Sequence, residues 1–177
     1  MEPKITAEEL LPLHGRIGIS TMIPDHVGLI AVSDIPANTI IGHTSVELTE
    51  YLCPWEEYEN LDQGTRDWVD DFCLGTPAGF YTIGNPNHWP IVWHMNHSCD
   101  GNVGFDFMDN FISLKKIRKG EEIVYDYALA ESGPKFNMSC KCGSANCRGI
   151  ITGSDWKKLG KNPEIRKNMI SYLKDSC

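Results

Sequence analysis

No apolar run in this sequence approaches the roughly 20 residues that a helix needs to cross a bilayer. A membrane-spanning helix is excluded, and no membrane partner is expected. The opening stretch, MEPKITAEELLPLHG, lacks a basic start followed by an apolar core, so it does not read as a secretory signal. The expected location is intracellular, in nucleus or cytoplasm. Basic charge is scarce: 16 Lys and Arg stand against 24 Asp and Glu, a net charge of -8. That balance disfavours direct nucleic-acid binding and suits a basic protein or peptide. Repeats and low-complexity tracts are also missing, which leaves 177 residues to fold as one domain with appendages. The seven cysteines are an odd number without an export signal. They argue against a disulfide framework and for metal binding or plain burial.

What is present can build a core, with 41% hydrophobic and 10% aromatic residues. Residues 27–32 (VGLIAV) predict a short strand, stopped by the Pro36 and Asn38 turn and resumed at Thr39-Ile40-Ile41. Residues 54–73 set Trp55, Tyr58, Leu61, Trp68, Val69 and Phe72 at three- and four-residue spacing among acidic residues. This predicts two short helices, interrupted at Gly64, whose aromatics pack into the core. The stretch FDFMDNFISL predicts a hairpin with a two-residue Asp109-Asn110 turn, placing Phe107 opposite Ile112 and Phe105 opposite Leu114 on a core face. Lys119-Gly120 turns the chain into Glu122-Ile123-Val124-Tyr125. Asn162-Pro163-Glu164 opens a final helix, with Asn as cap and Pro at its first position, and a buried stripe of Ile165, Met169, Tyr172 and Leu173.

In CKCGSANC, Cys140, Cys142 and Cys147 fall within eight residues. Cysteines this close are poorly placed to bridge one another, and three thiolates invite a metal. Structural zinc takes four ligands in a tetrahedron. Cys99, Cys53, Cys73, Cys177 and six histidines can each supply the fourth, and spacing does not choose among them.

Asn96-His97-Ser98-Cys99 (NHSC), GEEIVYDY at residues 120–127 and CKCGSANCRG occur in that order. Through them the chain resembles the SET-domain protein-lysine methyltransferases with a zinc-binding post-SET segment. Together with VGLIAVSDIPANTII the resemblance covers about residues 16–151. It implies a mainly β (α+β) fold: small twisted β-sheets with a C-terminal pseudoknot, a short helical insert and a C-terminal helix. It divides the chain into a SET domain at residues 16–128 with its insert at 48–90, a post-SET zinc segment at 137–151, and a helical tail at 152–177. It implies Cys99 as the fourth zinc ligand beside Cys140, Cys142 and Cys147. S-adenosylmethionine is the implied cofactor, held by His26, Val27 and Gly28, where the family usually has Gly-x-Gly, and by Asn96 and the His97 backbone. Ile150 or Ile151 would cover its adenine. Tyr127 matches the central catalytic tyrosine. Tyr125 matches a position that influences how many methyl groups are added, where a tyrosine resembles monomethylating members. The implied partner is a lysine-containing protein or peptide, a histone tail or a nonhistone protein, and a monomer is expected.

The chemistry suits these residue types. Methyl transfer to an amine needs a neutral nucleophile aimed along the sulfur-methyl axis, yet at pH 7 only about one lysine in a few thousand is neutral. A narrow apolar channel disfavours the charged form, and tyrosine walls it with a ring while its hydroxyl orients the amine. Outside the motifs the same residues have plainer readings: Asn96 as a turn residue, His97 as a core histidine, Tyr125 and Tyr127 as packing. Asp126 reads as structural. The family's Glu-Tyr-x-Gly stretch after the next strand has no counterpart where Gly42-His43-Thr44-Ser45 stands, and Tyr81 is the candidate for that channel aromatic. Trp93-His94 replaces the family's usual Arg-Phe. The competing function is a zinc-stabilised SET-like binding module with little or no turnover. A thiol redox protein using Cys140 and Cys142 is a third reading.

Overall fold

β-branched and apolar segments make the spine of the molecule, seen in a computed structural model that describes residues 14–42, 52–81 and 91–176. Cys177, residues 43–45 and both ends of the insert lie outside the described residues, as does most of the opening stretch. The strands are β1 (Gly15–Ile19), β2 (Val27–Ala31), β3 (Ile40–Gly42), β4 (Leu52–Pro54), β5 (Leu74–Gly75), β6 (Gly79–Tyr81), β7 (Asn96–His97), β8 (Val103–Phe105), β9 (Phe111–Ser113), β10 (Glu122–Tyr125), β11 (Asn137–Ser139) and β12 (Ile150–Thr152). Helices α1 (Trp55–Glu59) and α2 (Gln63–Phe72) belong to the insert, and α3 (Asp155–Leu159), α4 (Pro163–Arg166) and α5 (Ser171–Lys174) to the tail.

Seven strands form the main sheet in the order β1-β2-β10-β8-β9-β3, with β7 also on β10. β10 is its hub: antiparallel to β2, parallel to β7 through Tyr125 and His97, and parallel to β8 through Tyr125 and Val103. The backbone N–H groups of Ser98 and Asn102 donate to the carbonyls of Tyr125 and Val124 at 3.1 and 3.0 Å. Residues 98–102 therefore arch across the end of β10, as the expected pseudoknot requires. Asn102 fixes the arch with its side chain, donating to the Glu122 carbonyl and accepting the Val124 N–H at 2.8 and 2.9 Å. Beneath lies a core of Leu29, Ile35, Val103, Phe105, Ile117 and Ile123, completed by Met169 and Leu173 from the tail.

Three local expectations change. The two insert helices are present, but the break falls at residues 60–62 and not at Gly64. Asp62 caps α2 by accepting the Thr65 N–H at 3.1 Å, which leaves Gly64 inside the first turn. Of the aromatics, Trp55 and Tyr58 pack on Phe80 in a half-buried cluster beside the three-stranded sheet β4-β6-β5, and only Val69 of α2 is fully buried.

The hairpin pairs Phe105 with Phe111 and Gly104 with Ile112, so its loop is residues 106–110. Asp106 accepts the N–H groups of Met108 and Asn110 at 2.8 and 2.9 Å, closing a wider loop in which Asp109 takes φ 62°. Phe107 consequently sits at the tip, 87% exposed, and not on the core face.

The final helix is split. Asn162 caps α4 as expected, accepting the Glu164 N–H at 3.0 Å. Ile170 is then extended (ψ 149°), and its N–H donates to the Leu129 carbonyl at 2.9 Å while the Asn168 carbonyl accepts from Phe105 N–H. Backbone bonds to the core replace helical ones. Helix α3 lies ahead of the Asn162 cap, within the tail expected to be helical.

Candidate active site

Glu122, at the start of β10, is buried and organises the site from below. Its carboxylate accepts from the Ser20 and Thr21 hydroxyls, the Thr21 N–H and the Asn96 amide. The Asn96 amide nitrogen also donates to the Val27 carbonyl at 2.8 Å. The amide nitrogen is thus committed to Glu122 and Val27, and Asn96 lines the cleft. Gly28 is needed here, because a Cβ would stand 2.3 Å from the Glu122 carboxylate. His26 needs no glycine: the left-handed residue is Asp25, with φ 61°.

His97 joins two centres. It is 4% exposed, and burial pushes its imidazole down to about 4 against the pull of Asp126 at 3.7 Å. The neutral ring accepts the Tyr127 N–H on Nδ1 at 3.1 Å. Its proton is thus on Nε2, which donates to Cys99 Sγ at 3.4 Å. Arg148 makes a second tie, donating twice to Asp126 at 2.6 and 2.7 Å and once to Asp155 at 2.9 Å. Asp126 also accepts the Ala128 N–H. With both oxygens so engaged it is structural, as the sequence suggests.

The Sγ atoms of Cys99, Cys140, Cys142 and Cys147 lie within 4.8 Å of one another. Two of the separations are 3.9 Å (Cys99–Cys140) and 3.7 Å (Cys140–Cys147). A tetrahedron with zinc-sulfur bonds of about 2.3 Å has edges of about 3.8 Å, which these two separations match, so the cluster is compatible with such a site. Burial raises the Cys99 and Cys140 thiols, whereas at Cys142 the Ser144 hydroxyl at 3.1 Å, nearby N–H groups and Cys140 outweigh burial and bring the thiol to about 6, so Cys142 is the first of the cluster to offer the thiolate that a metal takes. Cys53 and Cys73 lie in the insert, outside this cluster.

Two cavities meet beside these groups. The larger, about 590 Å³, is lined by His26, Val27, Asn96, His97, Phe136 and Met138 among others, a size typical of cofactor clefts. The smaller is a throat of about 80 Å³ between Phe72, Trp93, Tyr125, Tyr127, Glu131 and Phe136. Tyr127 and Phe136 wall both. The Tyr127 hydroxyl donates to the Met95 carbonyl at 3.1 Å, and its ring stands 4.9 Å from that of Tyr125. Burial, with Glu131 and Glu122 adding to it, pushes the Tyr127 phenol well above its ordinary value, so it remains a neutral hydrogen-bonding group. Burial does the same to Tyr125.

Residues 26–128 match the SET domain family. The chain belongs to the SET-domain family. Among its relatives, a histone-lysine N-methyltransferase of Schizosaccharomyces pombe, H3 lysine-9 specific, is 30% identical over 142 residues, covering 67% of this chain and 29% of that protein. The histone-lysine N-methyltransferase SETD2 of Homo sapiens is 37% identical over 162 residues, covering 84% of this chain and 6% of its own length. The chain thus spans less than a third of the curated relatives it matches. The solved structure of KRYPTONITE in complex with mCHG DNA and SAH superposes with a TM-score of 0.50 at 17% identity, over 79% of this chain and 29% of that one, and shares the fold.

The fold brings most of the expected residues together: Asn96, His97, His26 and Val27 at the cleft, Tyr125 and Tyr127 at the throat, and the four cysteines in one cluster. Others lie elsewhere. Tyr81 pairs with Leu52 and Leu74 in the insert sheet and lines neither cavity. Ile151 is fully buried against Cys99 and Cys140, and Ile150 is exposed; neither faces the cleft. Phe136 and Met138, just before the cysteines, line the cleft instead. The His97 side chain bridges Tyr127 to Cys99, a role the motif alone did not suggest. Glu122 and Glu131 were also missed. The acid at the inward position of strand GEEIVYDY was a usable signal for Glu122, and nothing marked Glu131.

Proposed function

We propose that this SET domain transfers a methyl group from S-adenosylmethionine to the side-chain amine of a lysine in a basic protein, with histones the first candidates. The observation that carries the reading is the junction of cleft and throat at Tyr127. The cleft suits the cofactor, with the Asn96 oxygen available to an ammonium group and Phe136 and Met138 as apolar cover. When bound, the cofactor supplies an activated methyl on a sulfonium. The throat admits a lysine side chain from the other side. Its aromatic faces exclude water and favour cationic groups, and the Tyr127 hydroxyl orients the amine. Tyr125 beside it narrows the space, which supports a limit of one methyl group.

Zinc on Cys99, Cys140, Cys142 and Cys147 is the proposed clasp. It would hold residues 137–151 against NHSC and so fix Phe136 and Met138 over the cleft. The relatives' names support a histone substrate, and the acidic charge suits a basic tail over nucleic acid. We take the working form to be a monomer acting in nucleus or cytoplasm. Incubation with S-adenosylmethionine and core histones or cell extract, read by mass spectrometry, tests the reading. It should find monomethyl-lysine; an absence of cofactor binding by the metal-loaded protein would favour the binding-module alternative.

A further inference from the structure

The throat contains a carboxylate that the mechanism above does not use. Glu131 begins one turn beyond Tyr127, its N–H donating to the Tyr127 carbonyl at 2.7 Å, and it is 4% exposed. One oxygen accepts the Gly75 N–H at 2.7 Å and the other the Gly133 N–H at 2.6 Å. The insert and the segment leading to the zinc cysteines are both pinned to it. Two N–H bonds occupy about half of the lone pairs a carboxylate offers. Among the described residues no Lys, Arg or His forms an ion pair with it. The titratable and charged groups around it are neutral or acidic: Tyr125 and Tyr127, Tyr172 from α5, Cys73, and Asp70 and Asp71 from α2. Buried charges are normally paired, and this carboxyl on an aromatic-walled throat has no cationic partner among the described residues. Glu131 lines the same throat as Tyr125 and Tyr127.

We propose that Glu131 receives the ammonium of the incoming lysine and takes its proton, acting as the base that prepares the amine for methyl transfer. This rests on the methyl-transfer reading. In the step, an ammonium N–H bond breaks and an O–H bond forms on Glu131, the electron pair staying on nitrogen. The ion pair is the resting complex, and the apolar throat lowers the cost of converting it into the two neutral groups from which transfer proceeds. The neutral amine then forms its bond to the methyl carbon as the carbon–sulfur bond breaks, its electrons leaving with sulfur. The product keeps two N–H bonds and the positive charge, and Glu131 returns its proton to water once the product has left the throat. Burial also pushes the Glu131 carboxyl up to about 7, where a base for this task is best placed.

The test uses the whole chain with zinc bound. Carboxyl-13C glutamate labelling, with Glu131→Gln to assign the signal, follows the Glu131 titration in the wild type by NMR, alone and with n-butylammonium as probe. The titration should move to lower pH with the amine, because a neighbouring cation favours the carboxylate; a titration indifferent to the amine would overturn the proposal. In methyl transfer to core histones, Glu131→Gln should lower kcat about 100-fold and lose the limb near pH 7 while keeping its affinity for S-adenosylhomocysteine. A variant that keeps both the limb and the wild-type kcat overturns the role of Glu131. A wild type that binds no S-adenosylhomocysteine overturns the methyl-transfer reading instead, and the carboxyl titration still judges the ammonium site.

Discussion

Tyr127 is held by its backbone N–H on His97, by its hydroxyl on the Met95 carbonyl, and by ring contacts with Tyr125 and Phe136. Removing the hydroxyl alone leaves the ring and the wall intact. Tyr127→Phe should therefore lower turnover roughly 10- to 100-fold, the scale of a misplaced reactant, with S-adenosylhomocysteine affinity unchanged by calorimetry. Glu131 makes a stability prediction as well. Its folded carboxyl is pushed up to about 7 from an ordinary 4.5 by burial, so folding favours the protonated form. The stability this contributes is complete below about pH 4.5 and lost as pH rises through about 7, roughly 3 kcal/mol at full extent. Glu131→Gln removes that dependence. Denaturation of wild type and variant at about pH 5 and about pH 8 should show the wild type losing ground to the variant at the higher pH. Tyr127, Asn96 and the four cysteines were legible because motif chemistry marks them. Glu131 was not, since its meaning depends on Gly75 and Gly133, which no local pattern links to it.

At the scale of elements, the post-SET segment and the tail close the molecule. Arg148 is mostly buried between Asp126 and Asp155, and its removal leaves Asp126 without its cation next to Tyr127. Arg148→Ala should cost about 3 kcal/mol by chemical denaturation. The tail is core: Leu173→Ala should cost about 2–5 kcal/mol, since Leu173 is 1% exposed. Phe107→Ser, at the exposed loop tip, should change stability by less than about 0.5 kcal/mol. These contrasts mark where sequence patterning succeeded and where it failed. The Asn162 cap and the Gly120 turn are local and were read correctly. The hairpin register was misread because Asp106 captures backbone N–H groups that a two-residue turn would have used. The tail was misread as one helix because Ile170 exchanges a helical bond for one to Leu129, a partner about forty residues earlier.

Across the whole molecule, motifs far apart in the chain converge on one junction. β10 carries Tyr125 into Tyr127 between NHSC and the arch at residues 98–102, and the cysteine cluster draws residues 137–151 onto the same place. His97 connects the two, so loss of metal should be felt at Tyr127. Cys147→Ser, or chelation of the wild type, should release the metal and reduce cofactor affinity together. Measured zinc content and calorimetry with S-adenosylhomocysteine check this; metal loss with unaltered affinity would make the cluster a remote staple. The central claim is tested most directly by transfer of a labelled methyl group from S-adenosylmethionine to core histones, comparing wild type with Tyr127→Phe. The account predicts label on lysine with the wild type and a strong reduction with the variant, and equal labelling by both would contradict it.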